Sequence, residues 1–150
     1  MLKKTILIII SIFCVLSMSS CKSNSNYTKN NEPGAVLISS YDDVVKMKTS
    51  NEKLIVLFTL IDCSHCHNFH QMLKTYLNTH KIFLYEVILD MEFKYQEINN
   101  KVNEHFPYLN HAPTIYLIDE NKILSEFKYK ETDKLELLFD KWVQNNKLNE

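Results

Sequence analysis

The fold is decided by residues 54–69, which read LIVLFTLIDCSHCHNF. Residues 54–60 form an unbroken apolar and β-branched run, which is typical of a strand buried on both faces. After Asp62 the apolar residues recur every three or four positions, as on one face of a helix. They are Phe69, Met72, Leu73, Tyr76 and Leu77. The pattern predicts a strand over 54–60 and a helix over 63–79, with Cys63 and Cys66 on its first turn.

The position of the two cysteines has a chemical consequence. Unpaired N–H groups and the positive end of the helix dipole favour a thiolate, the reactive form, over a thiol. A helical wheel places Cys66 nearer the apolar stripe than Cys63, so we expect Cys66 to be the more buried sulfur. Cys63 would then attack a substrate disulfide, or be attacked when oxidised, and Cys66 would resolve the mixed disulfide.

Residues 1–21 have the layout of a secretory signal. A basic start at Lys3 and Lys4 precedes an apolar stretch that is too short for a typical membrane span. Residues 16–21, LSMSSC, resemble the bacterial lipoprotein signal, in which the cysteine is acylated and becomes the new N-terminus. This resemblance implies a lipid on Cys21 that anchors an exported domain at the extracytoplasmic face of the cell membrane. Ordinary cleavage near this point, followed by free secretion, is the alternative.

The rest of the chain divides into a linker and one domain. Residues 22–34 are mostly Ser, Asn and Lys, and such a segment buries too little surface to offset its ordering entropy, so we expect a flexible linker. Residues 35–150 are enough for a single modest core, a domain of about 115 residues. The formal net charge is −1 and no basic patch stands out, so nucleic acid is not an expected partner.

The cysteine count narrows the role of the pair. Of the four cysteines, Cys14 leaves with the signal and Cys21 is the lipid site, which leaves only Cys63 and Cys66 in the domain. A disulfide across two intervening residues closes a very small loop and stabilises the fold little. A catalytic or metal-binding role is therefore favoured over a structural one.

The pattern along the chain predicts the order β-α-β-α-β-α-β-β-α. Two βαβ crossovers followed by a hairpin and a helix give an α/β fold, a mixed central sheet with helices on both faces. The expected strands cover residues 35–38, 54–60, 82–89, 114–118 and 123–129, and a turn joins the last two. The first helix is capped by Ser40 and ends near residue 48, the second covers 63–79, and the last is opened by Asp133. The third helix covers about 92–105, with Tyr95, Ile98 and Val102 pointing inward.

This order, with a C-x-x-C pair at the strand-to-helix junction, resembles the thioredoxin fold. Residues 112–119, APTIYLID, resemble the second signature of that family, a cis-proline just before the fourth strand. The resemblance covers about residues 35–147. It implies that Ala112, Pro113 and Thr114 form a platform that pairs with the substrate backbone. A proline that merely begins a strand is the other interpretation of Pro113.

The resemblance also implies an activity. It is that of a thiol–disulfide oxidoreductase which exchanges disulfides with exported proteins through Cys63 and Cys66. The pair itself would be the redox centre, with no other cofactor, and a membrane electron carrier or a small thiol would restore its redox state. A cationic His65 favours the Cys63 thiolate and resembles the oxidising Dsb-type members, whereas Asp62 opposes it. The balance favours an oxidant.

One position departs from the family pattern. Many thioredoxins have a buried aspartate six positions before the first cysteine, where this chain has Leu57. Glu86 lies in the middle of the next apolar run, and our hypothesis is that it takes over the proton transfer of Cys66, because burial favours the protonated form of a carboxyl group. A carboxylate near a strand edge that reaches water is the alternative.

Three other functions stay open at this point. Residues 63–67, CSHCH, match the c-type haem attachment string, although small c-type cytochromes are largely helical. Cys63, Cys66, His67 and His70 share one helix face, but that face rises about 10 Å along the axis, too far for all four to reach one metal ion. A non-catalytic binding or accessory module that uses the same fold is the third.

Overall fold

The computed structural model describes residues 31–130 and 134–148. The strands are β1 (Ala35–Ile38), β2 (Leu54–Thr59), β3 (Phe83–Ile88), β4 (Thr114–Asp119) and β5 (Lys122–Phe127). The helices are α1 (Tyr41–Thr49), α2 (Ser64–Tyr76), α3 (Leu89–Glu92), α4 (Ile98–Val102) and α5 (Leu135–Asn145), with a 3₁₀ turn over Tyr95–Glu97.

The five strands form one mixed sheet in the order β1-β3-β2-β4-β5. β3 pairs in parallel with both β1 and β2, whereas β4 is antiparallel to both β2 and β5. Two βαβ units followed by a hairpin therefore produce the α/β architecture that the sequence predicts.

The core has two layers because every residue of β2 is buried. Successive side chains of a strand point to opposite faces. Ile55 and Leu57 pack with α2 and α5 on one face, and Val56 and Phe58 pack with α1 and α4 on the other. The sheet thus has helices on both faces, and α2 lies directly over the strand that delivers Cys63.

Local signals accompany three of the element ends. Ser40 caps α1 as predicted, since its side chain accepts the Asp43 N–H at 3.2 Å. Left-handed backbone at Glu120 and Asn121 closes the β4–β5 hairpin. α2 ends at Tyr76 rather than at residue 79, and the Tyr76 carbonyl oxygen accepts the Thr79 N–H at 3.3 Å and the His80 imidazole N–H at 2.7 Å.

The predicted helix over 92–105 is wrong as a single element. Extended backbone at Phe93 and Lys94 divides it into α3, the 3₁₀ turn and α4, and none of these has a side-chain cap. Tyr95, expected to point inward, is 71% exposed, whereas Ile98 and Val102 are buried as predicted. The apolar spacing of this segment therefore identified two of its three inward positions.

Gly34, the only glycine of the chain, lies where the chain joins the sheet. Its N–H donates to the Leu77 carbonyl oxygen at 2.8 Å, just beyond the C-terminus of α2. A Cβ at this position would lie 2.1 Å from the Ile82 carbonyl oxygen. The backbone therefore approaches a neighbouring segment more closely than a side chain allows.

Several predictions fall outside the described residues. They are the signal over 1–21 with Cys14 and Cys21, the linker residues 22–30, and the helix-opening Asp133. Within residues 31–130 and 134–148, none of the helices has the length and apolar character needed to cross a membrane.

Candidate active site

Cys63 is the N-cap residue of α2, immediately after the loop that follows β2. Its backbone is extended, and its sulfur accepts the Cys66 N–H at 3.1 Å. The apolar strand β2 is buried in the core, so its end holds Cys63 at the N-terminus of α2, where the first backbone N–H groups have no partner within the helix. A sulfur held in this position has a backbone donor for its anionic form.

Cys66 lies on the first turn of α2 and is bonded to Cys63. The two Cα atoms are 5.2 Å apart, within the range that a disulfide requires. Cys66 is 1% exposed and Cys63 is half-buried, which is the order that the helical wheel predicts. An incoming sulfur can therefore approach Cys63 and not Cys66.

The loop before β4 faces Cys63. The Cys63 sulfur lies 3.6 Å from the Ala112 carbonyl oxygen, and the Ala112–Pro113 bond is cis, as the resemblance implies. Pro113 and Thr114 are buried, and the Thr114 hydroxyl donates to the His111 carbonyl oxygen at 2.6 Å. The three predicted platform residues are thus placed beside the half-buried sulfur.

An open groove of about 770 Å³ runs alongside this platform. Ala112 and Pro113 form part of one wall, and His65, Tyr108 and Tyr129 also line the groove. His65 and Asp62 are both exposed, on either side of Cys63 in the chain. Ala112, which lies 3.6 Å from the Cys63 sulfur, connects this groove to the disulfide.

Glu86 is buried in the interior of the sheet, at 3% exposure. It lies on β3, between β1 and β2, and its register partner on β2 is Leu57. The alternative interpretation, a carboxylate near a strand edge that reaches water, is therefore wrong. One Glu86 carboxylate oxygen accepts the Thr59 hydroxyl at 2.6 Å and lies 2.7 Å from His70 Nε2.

His70 is the site residue whose role sequence reasoning missed. The sequence groups it with Cys66 on one helix face and favours an exposed residue beside the site over a metal ligand. The structure joins it to Glu86 on β3 instead. The i, i+4 spacing relates His70 to Cys66, but no sequence pattern pairs His70 with Glu86.

The metal and haem interpretations receive no support from the architecture. In the described ranges, no group of three or more His, Cys, Asp and Glu side chains is arranged to hold a metal ion. The five-stranded sheet also differs from the largely helical fold that the haem interpretation requires.

Comparison with known proteins identifies the fold. No known protein family matches the chain by sequence, and no curated protein does. A thioredoxin variant from Halobacterium salinarum superposes with a TM-score of 0.55 at 12% identity, over 79% of this chain and 95% of that one. A Malassezia sympodialis thioredoxin gives a TM-score of 0.53 at 16% identity, also over 79% and 95%. The chain therefore has a thioredoxin-like fold.

Proposed function

We propose that the domain is a thiol–disulfide oxidoreductase that acts on exported proteins through Cys63 and Cys66. The observation that carries the proposal is the half-buried Cys63 sulfur, which is bonded to a buried Cys66, caps α2 and lies 3.6 Å from Ala112, a residue of the groove wall. A structural staple needs neither an N-cap sulfur nor an open approach to one of its two atoms. A redox pair needs both.

The two sulfurs take different parts in the reaction. A substrate thiolate attacks Cys63 of the oxidised pair, Cys66 leaves as a thiolate, and a mixed disulfide forms. A second substrate thiolate then attacks the substrate sulfur of that mixed disulfide, so the substrate leaves oxidised and the Cys63–Cys66 pair has gained two electrons. In the reducing direction the same steps run backwards, and Cys66 resolves the mixed disulfide.

His65 is the tuning residue of the pair. A cationic imidazole on the first turn of α2 stabilises the Cys63 thiolate, and a more stable reduced form makes a stronger oxidant. Asp62 on the other side of Cys63 opposes this effect. We infer that the protein is an oxidant. A reduction potential near about −120 mV agrees with an oxidant, and one near about −270 mV indicates a reductant.

Substrate binding follows from the platform. Ala112 and Pro113 form part of the groove wall, the Ala112 carbonyl oxygen lies 3.6 Å from the Cys63 sulfur, and Thr114 follows them at the start of β4. An extended substrate segment pairs with this backbone in the manner of an added strand. The contacts go to the main chain, so the site accepts many sequences around a cysteine.

Glu86 is the proton acceptor and donor for Cys66 in this proposal. It replaces the aspartate that many thioredoxins have at the position of Leu57, and its register pairing with Leu57 places it on the neighbouring strand at the same level of the sheet. Its burial and its contacts with the Thr59 hydroxyl and the His70 imidazole support a role in proton transfer, because buried ionisable groups with specific partners cluster at functional sites.

The proposed location is the outer face of the cell membrane. Acylated Cys21 would anchor the chain, and residues 22–34 would link the anchor to the domain. Exported thiols and disulfides are the substrates, a membrane electron carrier or small thiol restores the redox state, and the dithiol is the only redox cofactor. Replacement of Cys21 by serine should move the protein from the membrane fraction to the soluble fraction.

The activity is tested by turnover of a disulfide-containing or dithiol-containing peptide with the wild-type protein and with Cys63→Ser. We expect loss of nearly all activity in the variant, because the attacking sulfur is gone. Equal rates would indicate a non-catalytic binding module, the competing function for this fold.

A further inference from the structure

A buried carboxylate and a half-exposed imidazole form a bridge between the interior of the sheet and water. The Glu86 side chain is 4% exposed and the His70 side chain is 40% exposed, and the two are joined at 2.7 Å. One proton lies between Glu86 Oε1 and His70 Nε2, whichever of the two atoms it is bonded to. The Thr59 hydroxyl donates to the same oxygen and so fixes the carboxylate.

The bridge lies at the middle of α2, about one helical turn from Cys66. His70 is four residues after Cys66, so the two side chains are neighbours on the helix surface. The other buried histidine and carboxylate side chains in the described part of the chain are His80 and Asp140. Both contact or approach the Tyr76 region, about 15 Å further along the helix axis from Cys66. Glu86 is therefore the buried carboxylate on the Cys66 side.

We propose that His70 is a positioning residue that acts on Cys66 through Glu86. His70 holds the Glu86 carboxylate and exchanges its proton with solvent. The inference rests on the proposed function. In the reducing direction the Cys66 thiol gives its proton to Glu86, and the Cys66 thiolate attacks Cys63 of the mixed disulfide. The Cys63–Cys66 bond forms, and the substrate sulfur leaves as a thiolate and is protonated by water. The dithiol has then lost two electrons to the substrate disulfide, and Glu86 passes its proton through His70 to solvent.

The oxidising direction uses the same path in reverse. Cys66 leaves as a thiolate and takes a proton from Glu86, which His70 then reprotonates from water. The role of His70 therefore does not depend on which direction prevails in the cell.

Other charged groups near the bridge determine which control is informative. On α2, His67 and Lys74 lie one turn before and after His70, and His67 contacts the Gln71 side chain at 2.8 Å. Beyond the end of β3, Asp90 accepts the Ile61 N–H. His67 is exposed, belongs to the same helix and has no part in the proposed chemistry, so His67→Gln is the matched control for His70→Gln.

The test is a stopped-flow reaction of the reduced full chain with a chromogenic aromatic disulfide. Cys14 and Cys21 are replaced by serine in every variant, so that only Cys63 and Cys66 react. The first phase, which depends on reagent concentration, is the attack by Cys63. The second phase, which does not, is the release of the second chromophore as Cys66 closes the disulfide.

We expect His70→Gln to slow the second phase by about tenfold or more. This slowing should be smaller than that caused by Glu86→Gln, which removes the acid–base group itself. The first phase should stay unchanged, and His67→Gln should leave both phases unchanged. Added imidazole should speed the second phase of His70→Ala but not that of Glu86→Gln. In the double variant His70→Gln with Glu86→Gln, the second phase should be no slower than in Glu86→Gln alone, since His70 acts through Glu86. The pH dependence of the second phase should also change in His70→Gln.

Two results would overturn the inference. One is a second phase of wild-type speed in a folded His70→Gln, and the other is equal slowing by His70→Gln and His67→Gln. A melting temperature close to that of the wild type shows that a variant is folded. If a His70 variant does not fold, it is replaced by His70→Lys, which keeps a hydrogen-bond donor for Glu86. A wild-type protein with no concentration-independent second phase would instead contradict the proposed function, because its two thiols would be reacting separately.

Discussion

The Cys63 sulfur lies 3.6 Å from the Ala112 carbonyl oxygen, although the two residues are 49 positions apart in the chain. The antiparallel pairing of β2 and β4 explains this contact. Phe58, near the end of β2, is paired with Thr114, the first residue of β4, so the loops on that side of both strands meet. The half-buried sulfur and the platform are therefore held together by the rigid centre of the sheet.

The exposure of the two sulfurs predicts an order of alkylation. In the reduced chain, with Cys14 and Cys21 replaced by serine, iodoacetamide should modify Cys63 first and Cys66 only when the protein unfolds. The reason is that Cys63 is half-buried at an N-cap, whereas Cys66 is 1% exposed. Mass mapping of peptides after a short pulse measures the order. Modification of Cys66 before Cys63 would contradict the assignment of the attacking sulfur.

Tyr76 and Asp140 predict a stability effect away from the site. The buried Tyr76 hydroxyl donates to Asp140 at 2.9 Å and ties α2 to α5. Tyr76→Phe leaves the buried carboxylate with one donor fewer and should lower the free energy of unfolding by about 1.5–3 kcal/mol. Urea unfolding measures it. The control is Tyr108→Phe at a 73% exposed position, which should change the stability by less than about 0.5 kcal/mol.

Gly34 predicts that the smallest possible side chain is destabilising. In Gly34→Ala the new Cβ would meet the Ile82 carbonyl oxygen at 2.1 Å, so backbone must move. We expect a loss of about 1–3 kcal/mol in the free energy of unfolding. Glu32→Ala, in the same segment, removes an exposed ion pair with Lys81 and should cost less than about 1 kcal/mol. Equal stability of Gly34→Ala and the wild type would show that this contact is absent in solution.

Tyr116 predicts how stability changes at alkaline pH. Burial, and then the nearby Glu126 charge, raise the pKa of Tyr116 to about 12. The unfolded chain loses this proton near pH 10 and the folded chain only near 12, so the contribution is complete below pH 10 and is lost as the pH rises toward 12. Tyr116→Phe should therefore flatten the fall in stability between those values. In this variant the free energy of unfolding should still fall with pH to a smaller extent, because burial also raises the pKa of Tyr41 to about 12.

The same substitution has a second expected outcome at neutral pH. The buried Tyr116 hydroxyl finds no hydrogen-bond partner within residues 31–130 and 134–148. Loss of an unsatisfied hydroxyl costs nothing, so Tyr116→Phe should be as stable as the wild type or more stable by up to about 1 kcal/mol. A clear destabilisation in urea would indicate that the hydroxyl has a partner.

The sequence predicts the fold well where one periodicity dominates. β2 is buried on both faces, and the position of Cys63 at the start of a helix follows from the change of period after Asp62. Residues 92–105 were harder, because their apolar spacing fits a helix while the backbone at Phe93 and Lys94 is extended. Spacing reports which side chains can be buried and does not report where a chain must turn to bury them.

The site was predictable in part for the same reason. Cys63, Cys66 and the 112–114 segment carry local signals that resemble a known family. No local signal identifies His70 as the partner of Glu86, because their contact joins a strand to a helix residue 16 positions earlier. Such a pair becomes visible only when the register of β3 and the rotation of α2 are both known.

The position of Gly34 determines how the molecule is presented to its surroundings. Gly34 touches Leu77 at the far end of α2, and Cys63 begins the same helix, so the two ends of the helix are about 20 Å apart. If the chain is anchored upstream of residue 34, as we propose, the attachment point lies at the end of α2 opposite to the two sulfurs. The disulfide would then be on the side of the domain that faces away from the anchoring surface.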